Sequence, residues 1–248
     1  MANYLINLSF VGTAYHGFQI QKNADTVQAR LQTAIKTALG YLPDIKGCSR
    51  TDSGVHAKMY CVSLKIEGDL DSARFLRTLN ALLPHDIKAT GIKEVPDDFH
   101  ARYSCISKEY CYLISASPAL DPFLYGRAAH FPREFDCESV NGTLSVLIGR
   151  HDFRAFCGIK GLKDDMTRTL IDCHTERDGQ LVTLFARADG FLYNMVRIIA
   201  GAAMNAARGR LDAESLAAIL SSGERSLLCP TAPAEGLYLN KVEYEFDR

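Results

Sequence analysis

The sequence predicts an α+β protein made of two similar halves, residues 1–105 and 106–248. Stretches in which apolar and polar residues alternate, the period of a half-buried strand, are separated by stretches with helical periodicity. The first half has the order strand, helix, strand, helix, strand, and the second half repeats this style without repeating residues. No Gly/Ser-rich linker separates the halves. This order is typical of helices packed on one face of an antiparallel sheet.

The first half supplies three predicted strands and two predicted helices. The strands are at 4–11, 59–66 and 87–95, and the helices are at 26–39 and 72–83. The first helix has an apolar stripe, a capping residue at Asp25 or Thr26, and Gly40 at its end. The second helix begins after Asp71, whose carboxylate can cap the first turn.

The second half supplies the remaining predicted elements. The strands are at 108–114, 170–176, 181–186 and 242–246, and the helices are at 138–148 and 192–208. Asp178-Gly179 predicts a hairpin between the two middle strands. Small residues such as Gly201 in the helix at 192–208 permit close approach by a neighbouring segment. Asp212 caps a further short helix that ends near Gly223.

The length and composition of the chain limit the kinds of protein that it can be. With 248 residues, of which 47% are hydrophobic, the chain can bury one large core or two modest ones. The 28 basic and 29 acidic residues nearly balance, which argues mildly against nucleic-acid binding but allows a local basic cleft. The eight cysteines show no zinc-ligand spacing, so we interpret them as small buried residues in a reducing compartment.

The location of the protein is predicted from what the chain lacks. The N-terminus has no basic region followed by an apolar block and a small-residue cleavage site, so it is not a signal peptide. No apolar run reaches the length needed to span a membrane. These observations predict a cytoplasmic protein without a membrane partner.

Asp52 lies on a polar loop that leads directly into the strand at 59–66, and Gly54 after it predicts a tight turn. Three interpretations are open for its carboxylate: a turn residue that bonds its own backbone, half of an aspartic-protease dyad, or a lone catalytic carboxylate kept ionised by an arginine. The dyad needs a second Asp-Ser-Gly or Asp-Thr-Gly sequence, or a symmetric dimer. No second copy occurs in the chain, so the hydrolase interpretation is disfavoured.

The phrase around Asp52 carries a more specific resemblance. It reads Arg50-Thr51-Asp52-Ser53-Gly54-Val55-His56-Ala57 and resembles the signature of the tRNA pseudouridine synthase A family. Seven further motifs resemble that family in the same order, at 12–21, 26–28, 99–102, 108–112, 151–153, 190–197 and 231–237. One departure is Phe18, which stands where the family usually has tryptophan.

The resemblance implies an isomerase that converts uridine to pseudouridine at positions 38, 39 and 40 in the anticodon arm of tRNA. It implies two ferredoxin-like halves whose antiparallel sheets join into one central sheet, with the catalytic cleft between the halves. It also implies a homodimer that binds tRNA rather than DNA. The reaction requires no metal or cofactor, because it has no redox step.

The same resemblance suggests a role for each candidate residue. Asp52 matches the family nucleophile, and Arg197 matches the arginine that keeps this carboxylate ionised. Tyr110 matches the tyrosine that stacks on the target base, although Tyr112 shares its strand face and spacing alone does not choose between them. Arg50 and His56 are candidates for binding phosphate or steering the flipped nucleotide, with ordinary surface charge as the alternative.

Two other functions are compatible with parts of the sequence. One is an RNA-binding module without catalysis, and the other is the aspartic hydrolase. A loop at 150–168 has a net charge of +2 and contains Gly158 and Gly161, so it is either an RNA-contacting element or a solvated surface loop. The attacked atom is also open, and either C6 of uracil or C1′ of ribose is compatible with Asp52 as nucleophile.

Overall fold

The computed structural model describes residues 1–247, with side chains through Phe246. Residue 248, the last of the predicted second half, lies outside the described residues. The chain divides into two compact units. The first unit comprises Met1–Ile106 and the chain from Tyr238 onward, and the second comprises Ser107–Leu237. Both mix helices with antiparallel strand pairs, so the predicted α+β class is confirmed.

The first unit has a ferredoxin-like order of elements. In chain order these are β1 (Ala2–Phe10), α1 (Val27–Leu39), β2 (Ile45–Gly47), β3 (His56–Ile66), α2 (Ser72–Leu82) and β4 (Ile87–Val95). The strand β1 lies between β4 and β3 and pairs antiparallel with both, while the short β2 pairs with the other edge of β3. The two helices pack against each other. This arrangement is the split βαβ pattern expected from the sequence.

Local capping chemistry explains where the helices of the first unit begin and end. The Thr26 hydroxyl accepts a hydrogen bond from the Ala29 N–H (3.3 Å), so Thr26 rather than Asp25 caps α1. Gly40 ends α1 with φ +80°, a left-handed conformation that glycine adopts without strain. The Asp71 carboxylate caps α2 by accepting from the Arg74 N–H (2.9 Å), as predicted.

The second unit contains four strands that pair antiparallel with their neighbours, a further short strand, and three α-helices. Its elements are β5 (Cys105–Ser115), β6 (Ala129–His130), α3 (Cys137–Leu144), β7 (Gly149–Asp152), β8 (Thr167–Asp178), β9 (Leu181–Ala188), α4 (Met195–Ala206) and α5 (Ala213–Ser222). Neighbouring strands follow the order β5-β9-β8-β7, and β6 pairs parallel with β5. The predicted hairpin joins β8 to β9 through Gly179, which has φ +57°.

The last strand differs from its prediction. Residues 242–244 of the predicted strand belong to β10 (Leu237–Tyr244), which begins five residues earlier, and residues 245–246 lie in a short 3-10 turn. The first residues of β10 pair parallel with β3, with Tyr238 opposite His56. Alternation alone misses this start because two polar residues in a row, Asn240 and Lys241, interrupt the period between Leu239 and Val242. The strand extends this far because β3 provides hydrogen-bonding partners.

Two helices also differ in length from their predictions. The helix predicted at 138–148 is α3 followed by a 3-10 turn, Ser145–Leu147. The helix predicted at 192–208 begins only at Met195, because Asn194 before it has φ +63°. Within α4 the predicted close approach is confirmed, since a Cβ on Gly201 would lie 1.9 Å from the Pro230 carbonyl oxygen.

Most of the cysteine side chains are buried, as the sequence predicts. Six of the eight cysteines are buried and two are half-buried, as expected for small apolar residues. Among residues 1–247, no helix combines the length and the apolar character that a membrane crossing needs.

Candidate active site

Asp52 lies in the signature loop, residues 48–55, which connects β2 to β3. The Val55 N–H donates to the Asp52 carbonyl oxygen (3.2 Å), and Gly54 has φ +79°. The predicted tight turn is therefore confirmed, and it is closed by the backbone. The Asp52 side chain is half-buried, while Arg50 is exposed.

The signature loop is held by the first loop, residues 12–19, which follows β1. The Thr51 hydroxyl accepts a hydrogen bond from the Phe18 N–H (3.0 Å). The Tyr15 carbonyl oxygen accepts from the Gly54 N–H (3.1 Å) and from the Ser53 hydroxyl (3.3 Å). The residues on both sides of Asp52 thus bind the first loop and fix the backbone that carries the carboxylate.

Tyr15 is itself anchored at the base of the first loop. Its hydroxyl donates to the Asp86 carboxylate (2.6 Å) at the start of β4. Burial and this carboxylate raise the pKa of Tyr15 well above its usual range, so the hydroxyl keeps its proton at all physiological pH values. The carbonyl of the same residue is therefore a fixed acceptor for the signature loop.

Two glycines let the first loop approach the signature loop closely. A Cβ on Gly12 would lie 1.9 Å from the Val55 carbonyl oxygen, and a Cβ on Gly17 would lie 2.2 Å from the Thr51 carbonyl oxygen. Gly17 also has φ +84°, which disfavours every other residue. The contact between the loops requires glycine at both positions.

Replacing Gly17 by alanine is expected to destabilise the protein more than the same change at Gly40. Both glycines have φ near +80°, so both variants carry the strain of about 1–2 kcal/mol for a left-handed alanine. Nothing lies within 4 Å of a Cβ on Gly40, whereas Gly17→Ala adds the clash with Thr51. Urea unfolding of both variants measures the difference, and equal shifts in midpoint would contradict the loop packing described above.

His56, the first residue of β3, is fully buried in the first unit. Its Nδ1 accepts a hydrogen bond from the Gly12 N–H (2.9 Å), and its ring stacks on Tyr238 with centroids 4.4 Å apart. Because Nδ1 is an acceptor, the neutral ring carries its proton on Nε2. The contacts indicate that His56 positions the first loop. Its role in substrate binding stays a prediction.

Phe18, the departure from the family pattern, is a core residue beneath the signature loop. It is 3% exposed and stacks on Tyr60 with centroids 4.1 Å apart. The Tyr60 hydroxyl in turn donates to the Ser49 carbonyl oxygen. A Cβ on Gly47 would lie 2.8 Å from the Phe18 ring, so the space around this ring is already filled. Phe18 therefore supports the signature loop from the core side.

Arg197 occupies the first turn of α4 in the second unit. Its Nε donates to the Ala232 carbonyl oxygen (2.8 Å), and its Nη1 donates to the Asn194 side-chain oxygen (3.1 Å). The Ala232 N–H returns a bond to the Arg197 carbonyl oxygen (3.0 Å). The two side-chain bonds fix the guanidinium plane, and together with the backbone bond they join the motifs at 190–197 and 231–237.

Tyr110 and Tyr112 lie on β5 in different surroundings. Tyr112 is fully buried, and its hydroxyl donates to the Pro233 carbonyl oxygen (2.8 Å). Burial raises the pKa of Tyr112 well above its usual range. A Cβ on Gly236 would lie 2.6 Å from the Tyr112 ring, so this ring is packed against the loop at 231–237. Tyr112 is therefore a structural residue. Tyr110 is also buried, at 6% exposed, and its role in stacking stays a prediction.

Tyr110 has an aromatic neighbour from the motif at 190–197. Its ring meets Phe191 edge-to-face, with centroids 5.1 Å apart and an interplanar angle of 86°. Edge-to-face pairs fix the orientation of both rings. Phe191 is thus a neighbour that orients the candidate stacking residue.

Replacing Tyr112 by phenylalanine is expected to destabilise the protein by about 0.5–1.5 kcal/mol, because the part-buried bond to the Pro233 carbonyl is lost. The matched control is Tyr125→Phe, since Tyr125 is 80% exposed. Denaturant unfolding is the measurement. An unchanged midpoint for Tyr112→Phe would show that this hydroxyl does not hold the loop.

The predicted loop at 150–168 is more ordered than a solvated loop. It contains β7 and two 3-10 turns, Arg154–Phe156 and Ile159–Gly161. A Cβ on Gly158 would lie 2.7 Å from the Tyr193 ring, and one on Gly161 would lie 2.4 Å from the Tyr193 Cβ. The two glycines thus permit close packing rather than provide mobility.

The structure divides the predicted site residues between the units. Arg50, Asp52 and His56 lie in the first unit, and Tyr110 and Arg197 lie in the second. Sequence reasoning did not assign the supporting contacts of Thr51, Asn194, Phe191 and Ala232. For Asn194 a signal existed, because asparagine is one of the few residues that tolerate positive φ before a helix.

Comparison with known proteins shows the family to which the chain belongs. The family model of tRNA pseudouridine synthases matches residues 7–104 and 144–245. Proteins named tRNA pseudouridine synthase A are 41% identical in Acetivibrio thermocellus over 244 residues, which are 98% of this chain and the whole relative. In Listeria monocytogenes serotype 4b the identity is 39%, over 99% of this chain and the whole relative. In Methylacidiphilum infernorum it is 36%, over the whole of this chain and 98% of the relative. Because the matches span nearly the full length, the chain belongs to the tRNA pseudouridine synthase family and is an isomerase.

Proposed function

We propose that the chain converts uridine to pseudouridine at positions 38, 39 and 40 of the anticodon stem-loop of tRNA, with Asp52 as the nucleophile. The observation that carries the proposal is the construction of the signature loop. Thr51, Ser53 and Gly54 bind the first loop, so the residues around Asp52 form a fixed support for one half-buried carboxylate.

The chemistry matches a lone carboxylate. The reaction breaks the bond between C1′ and N1, turns the base, and joins C1′ to C5. The hydrogen on C5 leaves as a proton and N1 takes up a proton, so the product is an isomer of uridine. A carboxylate nucleophile holds a covalent intermediate while the base turns. Attack at C6 of uracil or at C1′ of ribose each satisfies this balance. No electrons are gained or lost, so the reaction needs no oxidant or reductant.

The other proposed roles follow the resemblance and the local contacts. Arg197 supports the ionised form of Asp52, since an arginine is always protonated and its charge favours a carboxylate. Tyr110 stacks on the target base, which contributes about 1–3 kcal/mol per base and suits a flipped nucleotide. Arg50 is exposed two residues before Asp52, which supports a contact with phosphate.

The proposal also includes the oligomeric state, the substrate class and the location of the enzyme. The resemblance supports a homodimer that binds one substrate class, tRNA, in the cytoplasm. Among the three interpretations of Asp52, the family membership supports the catalytic carboxylate.

The positions are tested with tRNA transcripts that carry tritium at C5 of a single uridine, placed at 38, 39 or 40 in turn. Pseudouridine formation expels this hydrogen, so release is expected from each of the three transcripts. A transcript labelled only in the acceptor stem is the control and should retain its tritium. Release from the control and none from the anticodon arm would overturn the assignment of positions.

A further inference from the structure

The motif at 99–102 has no role in the proposed chemistry, yet its backbone is held firmly by the first unit. The Ala101 N–H donates to the Ser63 hydroxyl of β3 (3.0 Å), and the Ala101 carbonyl accepts from the Tyr244 hydroxyl of β10 (2.7 Å). The Asn3 side chain of β1 donates to the Phe99 carbonyl oxygen (2.9 Å). Three strands therefore fix the display turn, residues 99–104.

His100 closes the tip of the display turn. Its carbonyl oxygen accepts from the N–H groups of Tyr103 (3.1 Å) and Ser104 (2.9 Å), and its Nδ1 accepts from the Arg102 N–H (3.0 Å). The last bond requires Nδ1 without a proton. Burial, together with the positive charges of Lys46 and Arg102, lowers the pKa of His100, which keeps the ring in this accepting form.

The turn presents Arg102 and Tyr103 to solvent. Tyr103 is 75% exposed, and Arg102 is exposed beside it, with its guanidinium carbon 5.5 Å from the Tyr103 ring centroid. The His100 ring lies 4.5 Å from the same centroid on the rim of the turn. No carboxylate within the described part of the chain lies within ion-pairing distance of Arg102. A rigid turn thus carries an exposed ring and a cation.

We propose that Arg102 and Tyr103 form a contact surface for the tRNA substrate, with the guanidinium on a backbone phosphate and the tyrosine ring stacked on an unpaired base. This proposal rests on the proposed function. Single-stranded RNA is bound in this way, by cations on its phosphates and aromatic rings on its bases. Asp44 near the turn is paired with Lys46 (2.6 Å), and Asp97 and Asp98 lie directly before the turn, so the cation available for a phosphate is Arg102 itself.

The test compares variants of the two residues in tRNA binding and in turnover. Arg102→Gln is expected to raise Kd and KM for tRNA about tenfold and to reduce the slope of log Kd against log salt by about 0.7–0.9, the value of one phosphate contact. Tyr103→Ala is expected to raise both constants by about tenfold or more through lost stacking. For both variants the effect falls on Kd and KM rather than on kcat.

Conservative variants separate contact from folding. Tyr103→Phe keeps the ring and is expected to keep the affinity, and Arg102→Lys is expected to keep the salt slope. Tyr125→Ala removes another tyrosine that is 80% exposed, in the second unit, and should change neither constant. Unchanged Kd and KM in both Arg102→Gln and Tyr103→Ala would overturn the proposal.

Direct binding distinguishes this proposal from the proposed function. If the wild-type chain binds tRNA without releasing tritium while the variants bind weakly, the contact surface stands and the proposed function fails. If the wild type is active and the variants match it, the contact surface fails alone. Light scattering tests the alternative that the display turn contacts a second copy of the chain. Variants that become monomeric with unchanged affinity per protomer would make the turn a self-association surface and overturn the proposal.

Discussion

Replacing Asp52 by asparagine is expected to abolish tritium release from tRNA labelled at C5 of uridine. The amide has the size of the carboxylate but is not a nucleophile, so the covalent intermediate does not form. The turn should persist, because it is closed by the backbone bond from Val55 to the Asp52 carbonyl and by the left-handed Gly54. Removal of a nucleophile lowers kcat by about 10⁴-fold or more.

The control for this variant is Asp71→Asn in the same unit. Asp71 caps α2, and asparagine caps a helix nearly as well, so this variant should fold and retain full activity. Binding of tRNA by Asp52→Asn, measured by filter retention, should be within a few-fold of wild type. Activity of Asp52→Asn at or above about a hundredth of wild type would remove Asp52 from the role of nucleophile.

Replacing Arg197 by lysine is expected to lower kcat/KM by about 10²–10³-fold, the loss typical for one fixed electrostatic donor. The guanidinium binds the Ala232 carbonyl and the Asn194 side chain at once, and this geometry places its charge. A lysine ammonium on a flexible stem does not reproduce two donors in one plane. The charge is kept but its position is lost.

The matched control is Arg177→Lys, also in the second unit. Arg177 also donates two side-chain hydrogen bonds, in its case to the backbone carbonyls of Gly179 and Phe135, but it has no proposed role in catalysis. Its replacement should leave kcat/KM unchanged. Comparable kinetics for Arg197→Lys and the wild type, with tritium release as the readout, would show that the placed guanidinium is not needed.

The sequence predicts the elements that carry their own local signals. The helix α1 has its apolar stripe, its Thr26 cap and its Gly40 end within fifteen residues, and the structure confirms it. The β8–β9 hairpin follows from its turn residues. The strands β2, β6 and β7 are two to four residues long, too short to show a period, so they were not predicted.

The candidate site also has one part with local sequence signals and another part that depends on contacts between residues far apart in the sequence. The motif around Asp52 and its tight turn are local, and sequence reasoning found both. The structural role of Tyr112 depends on its bond to Pro233, a residue 121 positions away. The hydrogen bond of the His56 ring likewise joins it to Gly12, 44 positions earlier. Spacing within one strand carries no information about such contacts.

The measurement that tests uridine isomerisation most directly counts two products of one reaction. The purified chain is incubated with tRNA labelled with tritium at C5 of every uridine, with a chelator present and no added cofactor. We expect the moles of tritium released to equal the moles of pseudouridine found after digestion to nucleosides, and both to vanish with Asp52→Asn. Tritium release without pseudouridine, or pseudouridine formed equally by Asp52→Asn, would contradict isomerisation through Asp52.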